Sequence, residues 1–407
     1  MSTNINTIID ILKEQYLPAL KNQITTATHP FMEMIKKAPL TTGGVIMASA
    51  PYGINGGFGF GSEGDATPVS GGRKYKRFEI TPVDMYVDIR ISDKTIKLAN
   101  QPGALISALD DEVKGSYEAA KWNVSRALFG DGSGILCKVT QSCSSNYGKM
   151  AVRVDDVKRI VEGLTVDLYT YRGGNASSPE LITGNKGLRV ISVDRSLAVI
   201  VVEGTNCGAS QAASAMDYGF ITVQNSYNKE LTGLGAIFNE EVPFLYGYSK
   251  ASDLFIRPIE VDADGSLTDM VIYDAVKKAA DYRNSKIDLL MMGDGAFRAY
   301  QNYMRENNVV VCERAQFVGG ASGYKVMVGS HVVTIVNESL VPFDQCWGVD
   351  TSTFTFVHLD FDFCDYGASG IFQLVPGTSY YRALLSSYGN LICSNPGGCI
   401  LLTNCAE

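Results

Sequence analysis

Charged residues and histidines are scarce in this chain. Only 19% of its 407 residues are charged, and only three are histidines: His29, His331 and His358. Each stands alone in a strand-like or pre-proline setting, without the carboxylate or cysteine spacing that a metal site or a catalytic triad needs, so all three read as structural. There is no G-x-S-x-G elbow, no H-E-x-x-H helix and no P-loop. The scattered carboxylates cannot be assigned as an acid and base pair. Nothing in the sequence calls for an enzyme, a cofactor or a metal. No run reaches 18 apolar residues, and the opening MSTNINTIIDILKEQY lacks the basic-then-apolar pattern of a secretory signal. The expectation is a soluble protein made in a cytoplasm, with no membrane contact. A net charge of -8 argues against general nucleic-acid affinity, which needs a cationic surface to release counterions. A protein that merely encloses DNA needs no such surface. The nine cysteines, at 137, 143, 207, 312, 346, 364, 393, 399 and 405, include no C-x-x-C pair and have no histidine close by. They read as reduced, mostly buried thiols.

Two partial motifs fail on context. Gly59, Gly61 and Gly64 match the dinucleotide fingerprint, but Asp65, Thr67, Pro68 and further glycines follow where a helix is required. VDADGSLTD resembles the start of a calcium loop through Asp262 and Asp264. Its glycine is misplaced and Tyr273 stands where a bidentate glutamate belongs, so a turn and helix cap is expected.

What is present is organised around residues 101–134, QPGALISALDDEVKGSYEAAKWNVSRALFGDGSG. Pro102 opens a helix, and Leu105, Leu109, Val113, Tyr117, Ala120, Val124 and Leu128 recur at steps of three and four, the spacing of one apolar face. Asp110, Glu118, Lys121 and Arg126 occupy the opposite side, with acids early and bases late, as suits the helix dipole. Gly130 is the expected left-handed stop. At ~1.5 Å per residue such a helix spans roughly 40 Å.

Before it, residues 4–24 carry an amphipathic pattern interrupted by Pro18, and FMEMIKK lies between Pro30 and Pro39. From Gly43 the chain becomes glycine-rich, then alternates apolar and polar residues from Val83 to Ser92, a strand with one buried face. A long two-stranded excursion that needs a partner surface is expected there. Residues 135–230 read as nearly all β, in the runs VDLYTYRG, LRVISVD, LAVIVVEG and YGFITVQN. Later come a helix over 268–283 with Thr268 or Asp269 as cap and Met270, Val271, Ala275, Val276 and Ala279 inward, a strand over 287–292, and a helix over 296–306. Strands at 309–312, 324–328, 331–336 and 353–359 and a β-rich tail complete an α+β arrangement.

In this order of pieces, the helix end NVSRALFGDGSG, ELTGLGAIF far downstream and SYGNLICSNP near the end together resemble the major capsid proteins of tailed bacteriophages, the Hong Kong 97 type fold. The resemblance covers essentially the whole chain through short, degenerate motifs. It implies an N-terminal arm (1–42), an extended loop lying over a neighbouring subunit (43–100) and the spine helix of a peripheral domain (101–134). It also implies an inserted β-rich domain (135–230), a peripheral return (231–261), an axial domain (262–365) and a C-terminal β segment (366–407). The implied function is a structural subunit that self-assembles as pentamers and hexamers into an icosahedral head in the host cytoplasm and ends in the virion. Double-stranded DNA is enclosed without specific binding. Implied partners are a separate scaffolding protein, since only about 40 residues precede the loop, a portal, and minor capsid or decoration proteins. The run RKYKR, with Arg73, Lys74, Lys76 and Arg77, would then lie far from its own core and meet a neighbour's Asp110, Asp111, Glu112 and Glu118. The alternatives are a tail-tube or other phage structural subunit, built on a β-sandwich without a spine helix, and a β-rich carbohydrate-binding or hydrolytic protein.

Overall fold

A computed structural model of the chain describes residues 29–40, 44–51, 57–62, 66, 69, 71–72, 74–94, 102–141, 144–146, 148–171, 179–181, 185–204, 219–265, 267–307, 313–317, 322–329, 331–364 and 371–406. Expectations for residues 4–24 and for most of the glycine-rich tip lie outside these. The chain divides into two compact units, residues 126–236 and residues 1–125 with 237–407.

Helix α1 (Pro30–Met34) starts on Pro30, whose missing N–H costs nothing in a first turn. It runs into β1 (Lys36–Pro39), β2 (Ile46–Pro51), β3 (Tyr75–Ile80) and β4 (Val83–Ser92). The long helix α2 (Pro102–Leu128) follows, burying Val113, Tyr117, Ala120, Val124 and Leu128 as its spacing requires. The side chains of Leu105 and Leu109 lie outside the described residues. Two expectations for the end of α2 fail. Gly130 is not left-handed; the last turn tightens instead through Phe129 N–H to Arg126 O (3.1 Å) and Gly130 N–H to Ala127 O (3.0 Å), and the left-handed positions are Gly132 and Gly134. Arg126 is not on a solvated face; it is buried and ion-paired.

The unit 126–236 holds one eight-stranded sheet. Its strands are β5 (Ile135–Lys138), β6 (Ser144–Asn146), β7 (Lys149–Arg153), β8 (Thr165–Tyr171), β9 (Pro179–Leu181), β10 (Leu188–Asp194), β11 (Val199–Glu203) and β12 (Phe220–Val223). The order is β5-β12-β8-β10-β11-β7-β6, with β9 on β8. Alternate residues of these strands, among them Val152, Val166, Leu168, Ile200 and Ile221, form its core.

A short helix, α3 (Leu234–Phe238), leads on to β13 (Phe244–Leu245), β14 (Tyr248–Ser249) and β15 (Ile259–Asp262). Helix α4 (Asp269–Arg283) follows, with the Thr268 hydroxyl accepting from Val271 N–H at 3.4 Å. Ile272, Ala275, Val276 and Ala279 are buried on α4, whereas Met270 is 65% exposed. Met270 stands two residues before Ile272, about 200° around the helix, so it was misassigned to the inner face. Next are β16 (Leu289–Met292), α5 (Asp294–Glu306), β17 (Glu313–Gln316), β18 (Ser322–Val328), β19 (His331–Asn337) and β20 (Cys346–Val349). The chain ends with β21 (Phe354–His358), β22 (Asp362–Phe363), β23 (Gln373–Leu374), β24 (Tyr380–Cys393) and β25 (Ile400–Thr403).

These strands build two larger sheets. One is seven-stranded, β15-β25-β20-β16-β19-β18-β17, with α4 and α5 contributing Ile272, Ala275, Tyr300 and Met304 to the core on one face. The other is six-stranded, β1-β21-β24-β22 with β23 and β4 also on β24. Strands of three sequence segments join these sheets as follows. β4, grouped with the extended loop, pairs along its whole length with β24. β21 and β22, grouped with the axial segment, belong to the six-stranded sheet. The C-terminal segment is shared, β24 serving one sheet and β25 the other. Sequence spacing identifies strands, but hydrogen bonding across distant positions assigns them to sheets.

Candidate functional site

The hairpin β2–β3 carries the basic run singled out from sequence. Its register pairs Ile46 with Ile80, Ala48 with Phe78 and Ala50 with Lys76. Strand alternation puts these six residues on one face and Met47, Ser49, Tyr75, Arg77 and Glu79 on the other. Ile46, Ala50, Phe78 and Ile80 are buried. The Phe78 ring lies 5.2 Å from Tyr246, 5.8 Å from Tyr248 and 6.2 Å from Phe255, and the Tyr248 hydroxyl donates to Arg77 O at 3.0 Å. Tyr246 adopts φ 53 and Gly247 φ 85, the left-handed pair that a tight β13–β14 turn demands. This turn presents Tyr246 and Tyr248 to the hairpin.

Within the basic run, Lys76 lies close to its own core. Lys76 is only partly exposed, with its Nζ 4.9 Å from the Tyr248 ring centroid and 5.7 Å from that of Phe255, a cation–π seat. Arg77 is exposed, ion-paired with Glu79 at 3.0 Å and touching Met47 Sδ at 2.7 Å. Lys74 is exposed, and Arg73 is outside the described residues. On the acidic side Glu118 is exposed on α2; Asp110, Asp111 and Glu112 are in the helix backbone, and their side chains are outside the described residues.

Sequence reading overlooked two aromatic sets. One is the seat formed by Tyr246, Tyr248 and Phe255, whose signal was the density of rings in FLYGY beside a glycine. The other is Phe58 and Phe60, 79% and 96% exposed and edge to face at 5.2 Å. Their signal was GGFGFG, aromatics with no apolar neighbours to bury them. A second exposed apolar pair, Met327 and Val332, faces across β18 and β19 at 68% and 54% exposure.

The motifs NVSRALFGDGSG and ELTGLGAIF meet in space within the unit 126–236. A Cβ on Gly233 would stand 2.4 Å from Leu128 O, and one on Gly235 would stand 2.9 Å from Gly130. Only glycine lets these backbones approach. Arg126 donates two bonds to Glu230, at 2.6 and 3.0 Å, and Asn228 N–H bonds Ser133 O at 2.8 Å. In SYGNLICSNP, a Cβ on Gly389 would stand 2.5 Å from Val357 O, and Asn390 Nδ2 donates to Thr81 O at 3.1 Å.

His29 and His358 have structural settings. His29 Nδ1 lies 2.7 Å from the buried Glu338 carboxylate. His358 stacks on Phe356 at 4.8 Å, and burial lowers its pKa against a weaker pull from Asp360. Over VDADGSLTD, Asp264 N–H bonds the Asp262 carboxylate at 2.9 Å, the expected turn. Among the described residues Cys137, Cys346, Cys364, Cys393, Cys399 and Cys405 are free thiols, and no helix is long and apolar enough to cross a membrane.

No protein-family model and no curated protein matches the chain. Solved structures do. The cyanophage A-1(L) capsid asymmetric unit aligns over 92% of this chain and 92% of its own, at 9% identity and a TM-score of 0.50. The holo-SrpI encapsulin complex from Synechococcus elongatus PCC 7942 aligns over 93% and 88%, at 9% identity and 0.46. The capsid of a native GTA particle aligns over 93% and 90%, at 9% identity and 0.46. At such identities the likeness is one of fold, and the first alignment carries it.

Proposed function

We propose, from a chain that has the Hong Kong 97 type capsid fold, that it is a major capsid subunit which assembles with copies of itself into the icosahedral head around a phage genome. The observation that carries this reading is the hairpin of that fold. Its base is held by Phe78, while Phe58 and Phe60 stand almost wholly in water. A two-stranded ribbon is marginal alone, and exposed aromatic pairs are stabilised by a second surface. In a shell every subunit both offers and receives such a contact. The role is structural rather than catalytic, and the acidic chain holds double-stranded DNA by enclosure.

The same reading extends to domains and partners. The hairpin is the extended loop, α2 the spine helix, the unit 126–236 the insertion and the seven-stranded sheet the axial domain around which pentamers and hexamers close. Arg73, Lys74 and Arg77 reach a neighbour's Asp110, Asp111, Glu112 and Glu118. Lys76, seated on Tyr248 and Phe255, serves chiefly to fix the run. A separate scaffolding protein, a portal and minor or decoration proteins complete the particle, which is assembled in the host cytoplasm. Electron microscopy of the protein expressed with its neighbouring genes tests the reading. Closed shells are expected; tubes, or soluble monomers under every condition, would overturn it.

A further inference from the structure

A cavity of about 310 Å³ lies beside α3, with Ile237, Phe238, Pro243, Pro258 and Leu401 as its apolar lining. Neighbouring contacts fix its shape. Phe238 stacks on Trp347 at 4.8 Å, and the indole N–H donates to Gln345 Oε1 at 3.1 Å. Lys250, also at the wall, donates from Nζ to the Ile237 and Asn239 carbonyls at 2.9 and 2.7 Å. A cavity held in this way is formed before any occupant arrives, which spares part of the ordering cost of binding. Arg257 completes the lining. Its Nη2 stands 3.4 Å from a carboxylate oxygen of Glu240 and 3.4 Å from one of Glu260, long contacts around a half-exposed guanidinium. Such a planar cation stacks on an aromatic ring. Apolar surface at the centre with charged groups around it is the anatomy of a binding hot spot.

Resting on the shell assignment above, we propose that this cavity receives Phe58 and Phe60 from the hairpin of a second copy of the chain. The matching group is in the sequence itself: two rings, 79% and 96% exposed and 5.2 Å apart, with Gly57, Gly59 and Gly61 around them. Such exposure means that neither ring occupies the cavity of its own chain. Volume selects the pair. A cavity of about 150 Å³ takes up one benzene, so about 310 Å³ accommodates both rings. Glycines carry no side chain, so the segment that delivers the rings is no wider than its backbone. The rival surface is the exposed pair Met327 and Val332. A strand face covers one side of a ring, whereas a cavity removes most of the ring from water. The cavity also adjoins the hairpin's own anchorage, because Ser249 lines it next to Tyr248, whose hydroxyl holds Arg77 O at 3.0 Å. Each copy thus gives a tip and receives one, a head-to-tail contact that generates rings when the rotation closes.

The test uses the full chain with Phe60→p-benzoyl-phenylalanine, a photoreactive analogue, mixed with isotopically heavy wild-type chains under assembly conditions. After irradiation, mass spectrometry should find the adduct on heavy peptides from 237–260 or around Leu401, in shells or in smaller oligomers alike. Ala251 lines the cavity and is exposed, so Ala251→Trp in the heavy chain should fill it without changing the melting temperature. The adduct yield should then fall about tenfold or more, the equivalent of one ring's lost burial. If Ala251→Trp fails to fold, the adduct map decides alone. Adducts within one light chain, adducts on other segments, or none at all would overturn the proposal. Electron microscopy of the same mixture reads shell formation separately. Shells with adducts elsewhere sink the cavity and keep the shell assignment, whereas cavity adducts without shells do the reverse.

Discussion

Arg126 and Glu230 form a two-pronged ion pair whose side chains are 4% and 9% exposed. Removing one partner leaves the other charge buried, which costs far more than losing a surface pair. Arg126→Ala should destabilise the unit 126–236 by about 3–5 kcal/mol in chemical denaturation. His358 gives a pH signature. Burial lowers its pKa below the ordinary 6.5, with Lys37 acting in the same direction and Asp360 and the Phe356 backbone opposing. The folded state thus disfavours the imidazolium, so His358 leaves stability intact above pH 6.5 and erodes it as the pH falls through that value. His358→Gln should flatten this acid limb of the melting temperature; an unchanged limb would assign it to other groups.

Elements behave according to what anchors them. Phe78 is 0% exposed and holds the hairpin base against Tyr246, Tyr248 and Phe255. Phe78→Ala should cost about 3–5 kcal/mol locally and speed proteolytic cutting between residues 52 and 74, while Arg77→Ala should change neither much. The spine helix depends on its stripe. Val113 is 1% exposed, and Val113→Ala should cost about 1–3 kcal/mol, measured by thermal melting, against little for the partly exposed Lys121→Ala.

For the whole molecule, assembly and folding must be perturbed separately. Reversing all four cations of RKYKR would also unseat Lys76 from Tyr248 and Phe255, so a failure to assemble would be ambiguous. Reversing only Arg73 and Lys74 to glutamate should leave circular dichroism and Tm unchanged yet weaken shell formation, since weak contacts multiply around a closed shell. Raised salt should weaken wild-type assembly in the same direction. Normal shells from that double reversal would return the run to a merely solubilising role. The unit 126–236 should fold as a fragment, whereas one beginning at residue 135 should be less stable because Glu230 loses Arg126.

Local repetition was sufficient for much of this. The three-four spacing of α2, the alternation of β4, β10 and β11, and the Thr268 cap are set by neighbours a few residues apart, so they are legible in one dimension. The glycines of RALFGDGSG and ELTGLGAIF belong to the motifs that carry the resemblance, but their reason, backbones meeting at Leu128 and Gly130, appears only when 233 and 235 are brought to 128–130. Arg126 looked solvated because the helix period says which way a residue points, never what waits there; a glutamate 104 positions away waits there. Likewise the sheet to which β4, β21 and β25 belong and the aromatic seat under Lys76 rest on partners far apart in the chain. Sequence determines such residues' chemistry, but their burial and partners are decided by tertiary packing, because desolvation and hydrogen bonding depend on distance in space.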